Sequence, residues 1–231
     1  GKCTACGVCY NQCPRTITTE EGLIGDIRYP YSAQTAIKGL EGQDGAVVTS
    51  MLAYALDEGL IDCAIVTTTS NEEPWKPIPI VATSYEELVK ARGSKYIHSM
   101  TMEALMGAIQ EGMRSIAFVG TSCNIDAVTK MQKSPYGFLH MFMRANILKL
   151  GLFCMDTFYY DGIKEFVENH GMKLEDIDWI CADCGLKYGD GLQGVATWHI
   201  GTCDVCGEEE VAVTQPRDFG HLSVDKINYE N

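Results

Sequence analysis

From about residue 40 the apolar positions of this chain fall into alternating helical and strand-like blocks. Val47, Val48, Met51, Leu52, Ala55 and Leu56 recur at helical spacing, with Asp44 placed to cap the start and Gly59 to end it. The short apolar run from Cys63 to Val66 predicts a buried strand. Trp75 to Ala82 is expected to be extended and at a sheet edge, because Pro77 and Pro79 exclude a helix and suit no central strand. Ser84 with Glu87 three residues later forms a capping box opening a helix to about Ala91, and a further helix is expected from Met102 to Gly112. Ile116 to Val119 reads as a strand that breaks into the loop Gly120-Thr121-Ser122-Cys123-Asn124, with a helix from Ile125. Ile147 to Phe153 is a strand ending on Cys154, and Asp161 to His170 a helix stopped by Gly171. This alternation predicts an α/β (mixed α+β) fold, a sheet with covering helices. After about Asp178 glycines multiply and helical periodicity fades, which sets a boundary there.

Composition narrows the class. The 231 residues are 46 % hydrophobic and 21 % charged, which fits a globular chain rather than a disordered one. A formal charge of −13 disfavours nucleic acid and anionic membrane surfaces as partners. No apolar stretch reaches the roughly 20 residues of a membrane span. The chain opens on Gly-Lys-Cys, with neither Met nor a secretory leader, so a processed or truncated piece is expected. Of eleven cysteines only Cys63 stands alone in an apolar run. Clustered thiols without a leader point to metal binding in a reducing, cytoplasmic compartment rather than to disulfides.

Cys3-Thr-Ala-Cys6-Gly-Val-Cys9-Tyr-Asn-Gln-Cys13-Pro14 matches the bacterial ferredoxin run C-x2-C-x2-C-x3-C-P position by position. Such spacing lets one loop wrap a [4Fe–4S] cubane, Gly7 allowing close backbone approach and Pro14 turning the chain away. A zinc knuckle or free thiols are the plainer alternatives. Cys13 either closes this cluster or reaches another, since the fourth Cys does so in two-cluster ferredoxins.

Several body segments, taken together, resemble the beta subunits of coenzyme F420-reducing hydrogenases and dehydrogenases. They are Gly42-Gln43-Asp44-Gly45-Ala46-Val47-Val48-Thr49, Leu52 to Asp62, Gly93-Ser94-Lys95-Tyr96, Val119 to Asn124, and Gly151-Leu152-Phe153-Cys154-Met155. The resemblance covers roughly residues 1–175. It implies FAD, at least one [4Fe–4S] cluster, coenzyme F420 or a similar two-electron carrier, and partner redox subunits. On this basis Gln43, Asp44, Gly45, Thr49, Ser94, Lys95, Tyr96 and Thr121 are the expected cofactor-binding residues. The Gln-Asp-Gly turn offers backbone N–H groups to a pyrophosphate, or is a plain helix cap. Lys95 stands near the flavin N1/O2 region and stabilises the reduced anion, or is a solvated charge. Cys123 and Cys154 are two metal ligands at strand ends, or ordinary thiols; the family implies that they join a later Cys-x-x-Cys pair around a cluster.

The tail departs from that pattern. Cys181-x2-Cys184 is followed after eighteen residues by Cys203-x2-Cys206, a zinc-ribbon spacing, and residues 179–222 resemble small zinc-ribbon proteins. Either these four hold Zn(II), or Cys203 and Cys206 join Cys123 and Cys154 around a second cluster; the spacing favours zinc. His199 and His221 read as surface histidines, and Trp75 and Trp179 as core. The expected organisation is a cluster-binding segment 1–30, a flavin-binding α/β domain 31–178 and a ribbon-like tail 179–231. Two functions fit: an FAD and iron–sulfur oxidoreductase subunit splitting electron pairs into single electrons, or a non-catalytic electron-transfer and docking module with a structural ribbon.

Overall fold

The computed structural model describes residues 3–16, 26–40, 42–95, 97–134, 144–154, 157, 159–169, 171, 173–176, 180–181, 199–204 and 206–214. Four strands form the main sheet: β1 Cys63–Thr69, β2 Pro77–Ala82, β3 Ser115–Thr121 and β4 Asn146–Leu152, in the order β2-β1-β3-β4. β1 pairs antiparallel with β2 and parallel with β3, and β3 pairs parallel with β4 from Ser115↔Asn146 to Thr121↔Leu152. Ahead of the sheet lie α1 Val8–Gln12 and α2 Val47–Asp57; α3 Tyr85–Lys90 and α4 Thr101–Gln110 follow β2, α5 Ser122–Lys133 joins β3 to β4, and α6 is Tyr160–Asn169.

Side chains leave a strand on alternate faces, and both faces of this sheet are covered. Cys63, Ile65, Ile116 and Phe118 pack with Leu105, Ala108 and Ile109 of α4 and Val128 of α5. Ala64, Val66 and Ala117 point the other way, onto Leu52 and Ala55 of α2 and Leu88 of α3. That double burial is why Cys63 to Val66 is continuously apolar, and it makes the fold the expected α/β one.

The proline-bearing strand β2 is at an edge, and the Ser84–Glu87 capping box is formed, with α3 ending on Ala91. Two local expectations are corrected. Asp44 is not the cap of α2: it lies in a 3-10 turn, Gln43–Ala46, and Ala46 holds the capping position in the left-handed conformation at φ 53. Residues 120–124 are not a loop: β3 runs to Thr121, which is itself the N-cap of α5, so Cys123 sits in that helix's first turn. A small second sheet, β5 Ile180–Cys181, β6 His199–Gly201 and β7 Val211–Thr214, has the order β5-β7-β6, antiparallel throughout. No helix among the described residues is long and apolar enough to cross a membrane.

Candidate functional site

The cysteine-rich head is a loop that closes into one short helix. Ala5 and Gly7 are both left-handed, at φ 56 and φ 74. Alternating handedness turns successive N–H groups to one side, making a concavity suited to anionic sulfur. The Ala5 N–H donates to Cys3 Sγ at 3.5 Å. The Val8 N–H, then the Thr4 hydroxyl, hold the Cys6 thiol below its ordinary pKa. Cys9 lies on α1, and Cys13 caps its C-terminus with its N–H on the Cys9 carbonyl. Cys3, Cys6 and Cys9 are exposed and Cys13 is half-buried. Four cysteines on one loop, with Cys6 biased toward thiolate, fit the chemistry of a metal or cluster donor set. Among the described residues no three Cys, His, Asp or Glu side chains converge closely enough to hold a metal ion.

The head is docked on α5. Val8 packs against the core cluster that includes Val128, the Gln12 amide donates to the Ser134 hydroxyl at 3.2 Å, and the Lys130 ammonium donates to the Cys13 carbonyl at 3.2 Å.

Of the other predicted residues, Gly45, Thr49, Ser94, Lys95, Thr121, Cys123 and Cys154 belong to segments at one end of the main sheet. β1, β3 and β4 are parallel and finish together at Thr69, Thr121 and Leu152. Thr121 there starts α5 and lies 3.1 Å from Cys123 Sγ; Cys123 and Cys154 each stand two residues beyond the paired positions Thr121 and Leu152, and both are exposed. Thr67 and Thr68, at the same end of β1, hydrogen-bond to Ser99 and to the Lys90 carbonyl, which holds the loop bearing Ser94 and Lys95 close by. A short connection returns the chain from α2 to β1, so the first turn of α2, with Thr49, lies toward this end. Its preceding turn is pinned from outside the predicted set. Thr35 donates its N–H to the Gly45 carbonyl at 2.8 Å, and Ser50 donates its hydroxyl to Thr35 Oγ1. Gly45, at φ 76, has Ala33 O only 3.1 Å from where a Cβ would stand, so another residue would be strained and crowded there.

Lys95 is differently engaged than expected. Its ammonium donates to the carbonyls of Ala91, Arg92 and Gly93 at 2.7, 2.7 and 3.0 Å, completing the C-terminal end of α3. Tyr96 and Cys184 lie outside the described residues, as do Trp179 and His221; the side chains of Gln43, Asp44 and Cys181 do too. Reasoning from sequence missed Lys130, Thr35, Ser50 and the contact of His98 with Tyr159, whose rings are 6.2 Å apart. The i,i+4 spacing of Asp126 and Lys130 is the one readable sign of the first.

In the tail, Cys203 and Cys206 occupy the turn between β6 and β7. The Cys203 N–H donates to the Glu208 carbonyl at 2.9 Å, and Gly207, left-handed at φ 75, donates to the Cys203 carbonyl at 2.8 Å. Cys203 is fully buried and Cys206 exposed. β5 pairs Cys181 with Val213 of β7 and, being antiparallel to it, runs toward the end that bears this turn.

Known proteins share this plan. The model described as coenzyme F420 hydrogenase/dehydrogenase, beta subunit N-term, matches residues 31–106, and its C-terminal counterpart matches residues 113–206. The chain is 30 % identical over 197 residues to the coenzyme F420 hydrogenase subunit beta of Methanococcus voltae, covering 79 % of this chain and 68 % of that protein. It belongs to the coenzyme F420 hydrogenase/dehydrogenase beta-subunit family. It is also 35 % identical over 182 residues to the coenzyme F420-dependent sulfite reductase of Methanocaldococcus jannaschii, covering 74 % of this chain but only 29 % of that one. A chain of the xenon-derivatised F420-reducing [NiFe] hydrogenase complex from Methanosarcina barkeri superposes with a TM-score of 0.52 at 34 % identity, covering 59 % of this chain and 47 % of the other.

The two family models divide the molecule at the end of α4. The first supplies β1 and β2, the second β3 and β4, so the parallel β1–β3 pairing is the seam between family halves. The family match also runs on through Cys206, well past the residue-175 limit of the sequence resemblance. The turn bearing Cys203 and Cys206 is thus part of the beta-subunit pattern and not an addition to it.

Proposed function

We propose that this chain is an FAD- and [4Fe–4S]-containing oxidoreductase subunit that passes electrons between coenzyme F420, or a similar two-electron carrier, and one-electron iron–sulfur partners. Family membership, together with the cysteine head docked on α5, carries the reading. When bound, FAD supplies the semiquinone state that links two-electron to one-electron chemistry, and the cluster takes one electron at a time. Cys3, Cys6, Cys9 and Cys13 hold the head cluster, with the Ala5 and Val8 N–H groups turned to the sulfurs. At the carboxyl end of the sheet two helices open, α2 and α5, and the N-cap of neither makes a side-chain capping bond. Their first-turn N–H groups thus remain available to an anionic pyrophosphate. Gln43, Asp44, Gly45, Thr49, Ser94, Tyr96 and Thr121 are assigned to cofactor binding on the family resemblance, and Lys95 acts by bracing the turn that follows α3 and leads to Ser94.

The proposed organisation is a cluster segment at 1–30, a flavin-binding domain at 31–178 and a tail at 179–231. In the tail, Cys181, Cys184, Cys203 and Cys206 hold Zn(II), the reading their spacing favours; a second cluster of Cys203 and Cys206 with Cys123 and Cys154 is the alternative that the family pattern through Cys206 supports. The partners are other redox subunits.

Anaerobic purification followed by assay of iron, sulfide, zinc and flavin tests the whole reading at once. Iron and sulfide near about four each with about one zinc and one FAD are expected. About eight iron without zinc would move the tail cysteines into a second cluster. Iron and sulfide without flavin would favour the non-catalytic electron-transfer module. A chain without iron and sulfide would overturn the assignment.

A further inference from the structure

A groove of about 480 Å³ runs between α1 and the C-terminal half of α5, with Asn11 and Gln12 on one wall and Asp126, Lys130 and Lys133 on the other. Lys130 crosses it. Its ammonium donates to the Cys13 carbonyl at 3.2 Å and pairs with Asp126 at 3.0 Å. The same carbonyl accepts the Thr16 N–H at 3.3 Å and the Thr16 hydroxyl at 2.9 Å. The local turn through Thr16, whose hydroxyl is shared with the Tyr10 carbonyl, and a lysine from distant α5 therefore hold one peptide unit, and the Cys13 side chain departs from that unit's own residue. The base of Lys130 is itself fixed, because Ala127 and Val128 beside it on α5 are buried.

We propose that Lys130 is a positioning residue for the head cluster: it fixes the main chain of Cys13 and places a positive charge beside that ligand. The inference rests on the iron–sulfur reading given above. One-electron reduction adds one negative charge to a cluster, and a chain with a formal charge of −13 opposes that addition. A neighbouring cation offsets it. The Lys130 side chain is 20 % exposed, so solvent and salt screen it less than a surface lysine. Asp126, 44 % exposed and paired with Lys130, tempers the same charge. Charge and hydrogen bonding around the ligands are what a protein uses to set a cluster's potential. Lys130 thereby links the cysteine loop to α5, the helix whose first turn stands at the proposed flavin end.

The experiment is a reductive titration of the anaerobically purified chain with dithionite and mediators, followed by visible absorbance and electron paramagnetic resonance. Wild type, Lys130→Met, Lys130→Arg and Asp126→Asn are compared, each with its iron and sulfide content and its rate of iron loss to a chelator. In Lys130→Met the reduction equilibrium is expected to fall about tenfold, about 59 mV for a one-electron couple, with iron lost several-fold faster. Lys130→Arg restores both, and Asp126→Asn moves the midpoint in the opposite direction. A Lys130→Met cluster with wild-type midpoint and iron-loss rate overturns the proposal, as do Met and Asn variants that shift the same way. Should Lys130→Met fail to retain iron, the sign of the Asp126→Asn shift decides, and a wild-type midpoint there overturns the proposal. A wild-type chain lacking iron and sulfide instead removes the functional reading beneath it, so the two failures are distinguishable.

Discussion

Cys63 and Cys6 show what position does to the same side chain. Cys63 is fully buried on β1, and burial, aided by the nearby charges of Asp62 and Glu111, pushes its pKa up to about 11. Cys6 lies on an exposed loop where the Val8 N–H pulls its thiol below the ordinary value. Only thiolate reacts with iodoacetamide, so the fraction available at neutral pH is negligible for Cys63 and enlarged for Cys6. With metal stripped under reducing conditions, native chain at neutral pH should label at Cys6 first, and at Cys63 only after denaturant is added. Mass mapping checks the order; early native labelling of Cys63 would contradict its burial. The cysteine run of the head was legible in the sequence because its spacing is local. Lys130 was not, since its partner Cys13 lies 117 residues away and only the docking of α1 on α5 joins them.

At the scale of elements, β1, the proline-bearing edge β2 and the α3 cap were readable because each rests on a few adjacent residues. The junction of β3 with α5 was not. Its Gly, Thr, Ser and Asn composition suggests a loop, yet close packing lets the strand pass straight into the helix. A Cβ on Gly120 would stand 2.9 Å from Asn124 Cβ and 2.9 Å from the ring of Phe118, which is fully buried. Neither atom is the free end of a flexible chain. Gly120→Ala should therefore lower stability by about 1–3 kcal/mol, the usual range for overpacking, and shift Thr121 and Cys123 with it. Chemical denaturation measures the first effect. A neutral substitution would mean that this junction is looser than it stands here.

For the molecule as a whole, the sequence disclosed the layered plan but not the meeting of its parts. The alternation of apolar blocks predicts a sheet with helices; it could not show that the segments bearing residues 45, 49, 94, 95 and 121 lie toward the carboxyl end of that sheet, because that follows from strand order. Nor could it show that the beta-subunit pattern includes the tail through Cys206. The head and tail are separate metal sites in the functional reading, which makes them independently removable. Cys206→Ser should lower bound zinc to a small fraction while leaving iron and sulfide at the wild-type level, by elemental analysis of the same preparation. Iron falling in step with zinc would instead join the two ends around shared ligands.

Pro77 and Pro79 fall on alternate residues of β2, paired with Thr69 and Thr67 of β1. Alternate residues direct their N–H groups to the same side, and a proline in a sheet faces its missing donor away from the ladder. The outer margin of β2 thus presents carbonyls with two donors missing, and a strand approaching from that side finds no continuous set of partners. At the opposite margin β4 carries no proline, and Leu148 and Leu152 lie exposed along it. Among the described residues the two margins of the sheet therefore differ: β2 lacks two outward donors, whereas Asn146–Leu152 of β4 keeps a full set.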